Sequence, residues 1–304
     1  MVSTPPWVWR TPREADLGLR RIANDAGLAV SVLPNGAVFA IEHTTGDARI
    51  LVNQVLGSPI AGGPQRTWLR TGGARPANIE AVGPRARVRL GLARDRFVWE
   101  GATHGIRYRV TLRLLPGTPA WLWQVEATNA DETIIPIDAV LAQDLGLGLR
   151  AFVTNNEAYA SQYIDHHIVH DARWGRVVMS RQNLAQDGRH PWIMHGCLEG
   201  ATAFATDAMQ IFGPGYRDAR GFDFAFGTPI ADRRLQHEAS CAAIQSPNSA
   251  VSTAPRMRPV TRESSVSEPT TPAARRNGNS SSGCLPSTWS AGMPVSCSMK
   301  GFHT

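Results

Sequence analysis

"IRYRVTLRLL", residues 106–115, decides what kind of fold this chain can have. Ile106, Tyr108, Val110, Leu112 and Leu114 fall on one side of an extended strand, and Arg107, Arg109, Thr111 and Arg113 on the other. A period of two marks a strand with one face in a core and one in water. "RARVRLGL" (85–92) repeats the pattern, with Val88, Leu90 and Leu92 on the apolar side. "RFVWEG" (96–101), "PAWLWQVEATN" (119–129) and "ETIIPIDAVL" (132–141) come next, with turn residues between them. Earlier, "GLAVSVLPNGAVFAIEH" (27–43) sets Asn35-Gly36 between two apolar runs, a hairpin signal because both residues tolerate positive φ. Helix caps followed by a 3.6-residue apolar period are scarce. The expectation is an all-β chain, a large antiparallel β-sandwich with long loops.

At 304 residues the chain can bury a sizeable core. "MVSTPPWVWRTPREAD" at the N-terminus holds no apolar run of the signal-peptide kind, and no stretch of about 18 apolar residues suggests a membrane span. Cys197, Cys241, Cys284 and Cys297 have neither zinc-ribbon nor disulfide-scaffold spacing. A soluble, cytoplasmic protein is expected. The net charge of +6 invites a nucleic-acid reading, but its location argues against one. From Cys241 onward six cations (Arg256, Arg258, Arg262, Arg275, Arg276 and Lys300) face only Glu263 and Glu268, which leaves +2 for the first 240 residues.

That C-terminal stretch changes character near Pro247. It is rich in Ser, Pro and Arg, lacks a hydrophobic period, and carries the chain's one lysine. Ordering it would cost roughly 1–2 kcal/mol per residue in backbone entropy, more than its few apolar side chains return. The expected organisation is an N-terminal extension over 1–14, a β domain over 15–246 and a disordered tail over 247–304. A shifted reading frame in a GC-rich gene would give such a tail; a genuine flexible tail is the alternative.

"QYIDHHIVHDARW" (162–174) is the densest polar cluster. On a helix, His166 and His170 would share a face, but "HHIVH" lacks the glutamate of a zinc-protease motif. On a strand, Asp165, His167, Val169 and Asp171 face one way and His166, Ile168 and His170 the other, which splits the histidines. A polar surface strand and a ligand-contacting edge are the competing readings. Elsewhere, "GSPIAGGP" (57–64) lacks the end of a phosphate loop, no GxSxG surrounds Ser161 or Ser180, and Cys197 reads as a small core residue. Trp121 and Trp123 alternate on a strand, which favours core packing over a sugar platform.

The run from Asn155 to Pro214, through "NEAYASQYIDHH", "SRQNL" and "HPW", resembles the N-terminal domain of the glycoside phosphorylases of hydrolase family 94. The likeness is to 1,2-β-oligoglucan and cellobiose phosphorylases and to the phosphorylase-like part of cyclic β-1,2-glucan synthases. "LPNGAVFAIEH", "LVNQVLGSPIAGG" and "LPGTPAWLWQVEATN" extend it over roughly residues 15–246. The resemblance implies a galactose-mutarotase-like antiparallel super-sandwich that precedes an (α/α)6 barrel. In such enzymes the barrel holds the general acid, and inorganic phosphate is the co-substrate; no cofactor is implied.

The resemblance makes this an expected N-terminal, carbohydrate-associated domain of a β-glucan phosphorylase, without catalytic residues or metal of its own. Its expected partners are a β-linked glucose oligosaccharide and the barrel or a partner subunit, with a homodimer as one arrangement, and neither nucleic acid nor membrane. Gln162, Tyr163, Asp165, His166, Arg181, Gln182, Asn183, His190 and Trp192 are expected to line a polar ridge that contacts ligand or partner. The alternatives are a stand-alone carbohydrate-binding or scaffold domain and, from a different class, a mutarotase-like isomerase.

Overall fold

The computed structural model describes residues 17–251 apart from 61–62, 64, 75, 130–133, 220 and 236–238, together with the backbone of 293–294 and 296–299. The expected N-terminal extension and residues 252–292 of the expected tail lie outside the described residues. No helix among the described residues is long and apolar enough to cross a membrane.

The chain begins as a meander of β1 (Arg20–Ala23), β2 (Leu28–Val32), β3 (Val38–Thr45) and β4 (Ala48–Leu51). Asn35-Gly36 makes the β2–β3 turn: Gly36 takes φ +87°, and the Asn35 side chain accepts the Ala37 amide at 3.1 Å. β5 (Arg66–Thr71) and β6 (Ala77–Val82) pair next. A second meander then runs through β7 (Val88–Leu92), β8 (Arg96–Thr103), β9 (Ile106–Leu114) and β10 (Trp121–Asn129). β11 (Ile135–Asp144) returns to β5, and β12 (Gly148–Leu149) returns to β4. Helices α1 (Arg150–Asn155) and α2 (Glu157–Ala160) lead to a third meander of β13 (Ile164–Asp171), β14 (Gly175–Gln182) and β15 (Trp192–His195). Beyond it lie β16 (Ala203–Asp207), α3 (Met209–Phe212), β17 (Ser240–Gln245) and β18 (Ser249–Val251); β17 and β18 both pair with β11. β19 (Met293–Pro294) and β20 (Ser296–Met299) pair parallel to β15 and β10.

The all-β expectation stands, but the sheet arrangement corrects the expected super-sandwich. The strands form four small sheets, ordered β1-β2-β3-β4-β12, β20-β10-β9-β8-β7, β16-β17-β11-β5-β6 and β13-β14-β15-β19, set as a four-bladed, propeller-like ring. Alternation along a strand reports which face is apolar, not how many sheets share the core. Here β11 leaves the meander before it to pair with β5, β17 and β18, and β12 returns to β4, so long-range pairings divide the strands among four sheets.

One apolar cluster draws on all four sheets, among them Val30, Leu69, Trp99, Trp123, Val178 and Ile244. Trp121 and Trp123 are fully buried in it, as core rather than platform. The sheet containing β5, β11 and β17 has a second core on its other side, where Trp68, Val140 and Ala243 meet Ile211 and Phe212 of α3. Strands β5, β16 and β17 are therefore buried along their whole length, unlike β9, whose inward positions are buried and whose outward arginines are exposed.

Candidate functional site

The histidine-bearing stretch is the hairpin β13–β14, extended by β15. Asp171 shapes its turn by accepting the amides of Arg173 and Trp174, both at 2.8 Å. Gly175 closes the turn at φ +66°, with its backbone so near Ala201 that a Cβ would lie 2.2 Å from the Ala201 carbonyl oxygen. Only glycine fits both constraints.

The register sorts side chains into two faces. Ile164 opposite Gln182, His166 opposite Ser180 and Ile193, and Ile168 opposite Val178 and His195 point into the core. Asp165, Arg181 and Trp192 form a row on the other face, and His167, Met179 and Met194 form the next. The period-two split of His166 from His167 is what the strand geometry shows, with His166 buried and His167 exposed.

The inward polar groups are structural. Gln182 is fully buried and donates to the carbonyls of Gly146 and Ala160, each at 2.9 Å, which ties the hairpin to the loop after β11 and to the end of α2. His166, 1% exposed, places Nδ1 2.9 Å from Ser180 Oγ and leaves Nε2 without a partner. Burial, and then the Arg234 guanidinium, lowers its pKa to about 4. His195 is 2% exposed, bonds through neither ring nitrogen, and is pushed down to about 3 by burial and by His166. Of the expected ridge, His166 and Gln182 alternate inward and are buried, on the opposite face from Asp165, Arg181 and Trp192.

The outward members remain together. Gln162 and Tyr163 are exposed on the 3-10 turn entering β13, and the Tyr163 carbonyl accepts the Asn183 amide at 2.8 Å. Arg181, Asn183 and His190 are exposed, and Trp192 is half-buried beside Arg181. Asp165 is ion-paired with Arg234, a partner far away in sequence. Tyr159 of α2, 61% exposed, adds an aromatic surface that sequence reading did not single out.

A general acid at neutral pH needs a raised carboxyl pKa. The Trp174 and Arg173 amides lower that of Asp171 instead. Burial pushes the Cys197 thiol up to about 11, which keeps it protonated and unreactive. Among the described residues no three His, Cys, Asp or Glu side chains gather as metal ligands.

The family model described as "SOGP N-terminal domain" matches residues 31–258. A 1,2-beta-oligoglucan phosphorylase of Listeria innocua serovar 6a is 32% identical over 192 residues. That alignment covers 63% of this chain and 17% of the enzyme, so the chain spans a small part of that relative's length.

Proposed function

The chain belongs to the family of SOGP N-terminal domains, and from that premise we propose that it is the carbohydrate-associated, non-catalytic N-terminal part of a β-glucan phosphorylase system acting in the cytoplasm. The family match over residues 31–258 carries this reading. In the proposed parent reaction, inorganic phosphate attacks the anomeric carbon from one side of the sugar while a carboxylic acid protonates the departing glycosidic oxygen from the other. The acid and the phosphate clamp belong to an (α/α)6 barrel. This domain contributes the outward face of β13–β15, where Asp165, Arg181 and Trp192 offer charge, hydrogen bonds and a flat apolar surface to the barrel or a partner subunit.

Incubating the purified chain with β-1,2-gluco-oligosaccharides and phosphate tests the non-catalytic role. No glucose 1-phosphate should form, because groups acting only in the transition state are absent from the proposed role. Saturable formation that survives repurification would overturn it. A second reading, a stand-alone carbohydrate-binding domain, draws on the exposed rings of Tyr159 and Tyr163, 61% and 45% accessible. Calorimetric titration with the same oligosaccharides separates the two, since only the second requires tight binding by the isolated chain.

A further inference from the structure

β7 lies at the edge of its sheet. It pairs with β8 on one side and with no strand on the other among the described residues. Such an edge presents unpaired backbone donors and acceptors along its length. Its side chains are unfinished in two further ways.

On the inward face, the apolar rows run out at β7. Trp99 opposite Leu90, and Phe97 opposite Leu92, are fully buried, yet Val88 and Leu90 are half-buried and Leu92 is 49% exposed. The core thus continues to this edge and stops uncovered. On the outward face, Arg89 stands opposite Glu100, but Glu100 accepts from Arg109 Nε at 2.8 Å, and Arg109 also reaches Glu126 at 3.6 Å. Arg89 and Arg87 are exposed with no ion-pair or hydrogen-bond partner among the described residues. A groove of about 990 Å³ runs beside them, lined in part by Pro34, Pro84, Arg87, Val88, Leu90 and Arg107.

We propose that β7 is a docking edge for an extended partner segment whose residues alternate acidic and apolar. Paired beside β7, such a strand completes the backbone ladder. Its apolar positions cover Val88, Leu90 and Leu92, and its carboxylates meet Arg87 and Arg89. Charge complementarity selects this occupant over a second copy of the chain. Two β7 edges brought together would crowd Arg87 and Arg89 of both copies onto one face of the joined sheet, and like charges on neighbouring strands are destabilising.

The test is fluorescence anisotropy with the full chain and labelled peptides. The probes are a short alternating Glu–Val peptide, its Lys–Val counterpart, a block arrangement of the same Glu and Val residues, and an alternating version with prolines that remove backbone donors. The Glu–Val peptide should bind saturably, and the other three at least about tenfold more weakly. Arg87→Glu/Arg89→Glu should shift the preference to the Lys–Val peptide. Should circular dichroism show that this variant is unfolded, Arg87→Gln/Arg89→Gln should still weaken Glu–Val binding. Absence of saturable binding overturns the proposal. So does equal binding of block and alternating peptides, or a preference for acid that survives both variants. Self-association of the chain in sedimentation, abolished by Leu92→Glu and unaffected by the Glu–Val peptide, would assign the edge to a second copy instead.

Discussion

His195 has neither ring nitrogen bonded, and His166 has only Nδ1 engaged. Burial holds both neutral, at pKa about 3 and about 4 against an ordinary 6.5. The unfolded chain therefore takes up more protons than the folded one as pH falls below about 6.5. Their contribution to stability is complete above that pH and is lost as pH falls toward 4. Asp144 opposes this: burial raises it to about 6, so the folded state binds its proton between pH 6 and its ordinary 3.8. Two histidines against one aspartate leave a net loss on acidification. Replacing His195 with Leu removes one of them and also an unsatisfied buried group. Urea unfolding at pH 8 and pH 5 should show the variant no less stable at pH 8, with the drop to pH 5 smaller by on the order of 1–3 kcal/mol. A drop equal to that of the parent would show that His195 does not titrate on unfolding.

The hairpin β13–β14 rests on two side-chain details that a strand pattern does not display. Gly175→Ala forces a Cβ to within 2.2 Å of the Ala201 carbonyl at positive φ, so it should cost at least about 2 kcal/mol in chemical denaturation. A smaller loss would mean that the turn relaxes freely. Gln182→Ala orphans the carbonyls of Gly146 and Ala160 and should cost about 1–3 kcal/mol. Arg181→Ala, on the exposed face one residue away, should stay within roughly 0.5 kcal/mol of the parent. Differential scanning calorimetry of the pair distinguishes the faces; equal losses would contradict the register. The split between His166 and His167 was legible because side chains alternate on any strand. Which face was wet was not legible, since both carry polar residues. His166 and Gln182 are tolerated inside through Ser180, Gly146 and Ala160, partners 14, 36 and 22 residues away. Only the fold brings them together.

In the whole molecule, the sheet carrying β5 and β11 is the common layer between two cores, and it is pinned by a fully buried ion pair. Arg70 donates from Nε and Nη2 to the two Asp138 oxygens, each at 2.6 Å, and from Nη1 to the carbonyls of Ala225 and Thr228. Arg70→Met leaves the carboxylate buried without a counter-charge, with the Gly227 amide at 3.3 Å as its remaining donor. It should cost about 3–5 kcal/mol and expose residues 221–232 to protease at temperatures where the parent resists; unchanged cleavage would show that other contacts hold that loop. The strand content and the Asn35-Gly36 turn could be read from the sequence because both are local. The division into four sheets could not, because pairings such as β11 with β17 and β12 with β4 join distant segments. Family membership and the outward face of β13–β15 meet in one experiment. Residues 31–258 are placed in the Listeria phosphorylase in place of its aligned segment, and phosphorolysis of 1,2-β-oligoglucan is measured with and without Arg181→Ala and Trp192→Ala. The chimera should be active, and the two substitutions together should lower its rate at least about tenfold with its unfolding midpoint unchanged. A folded but inactive chimera, or an active one indifferent to both substitutions, would contradict the role assigned to this face.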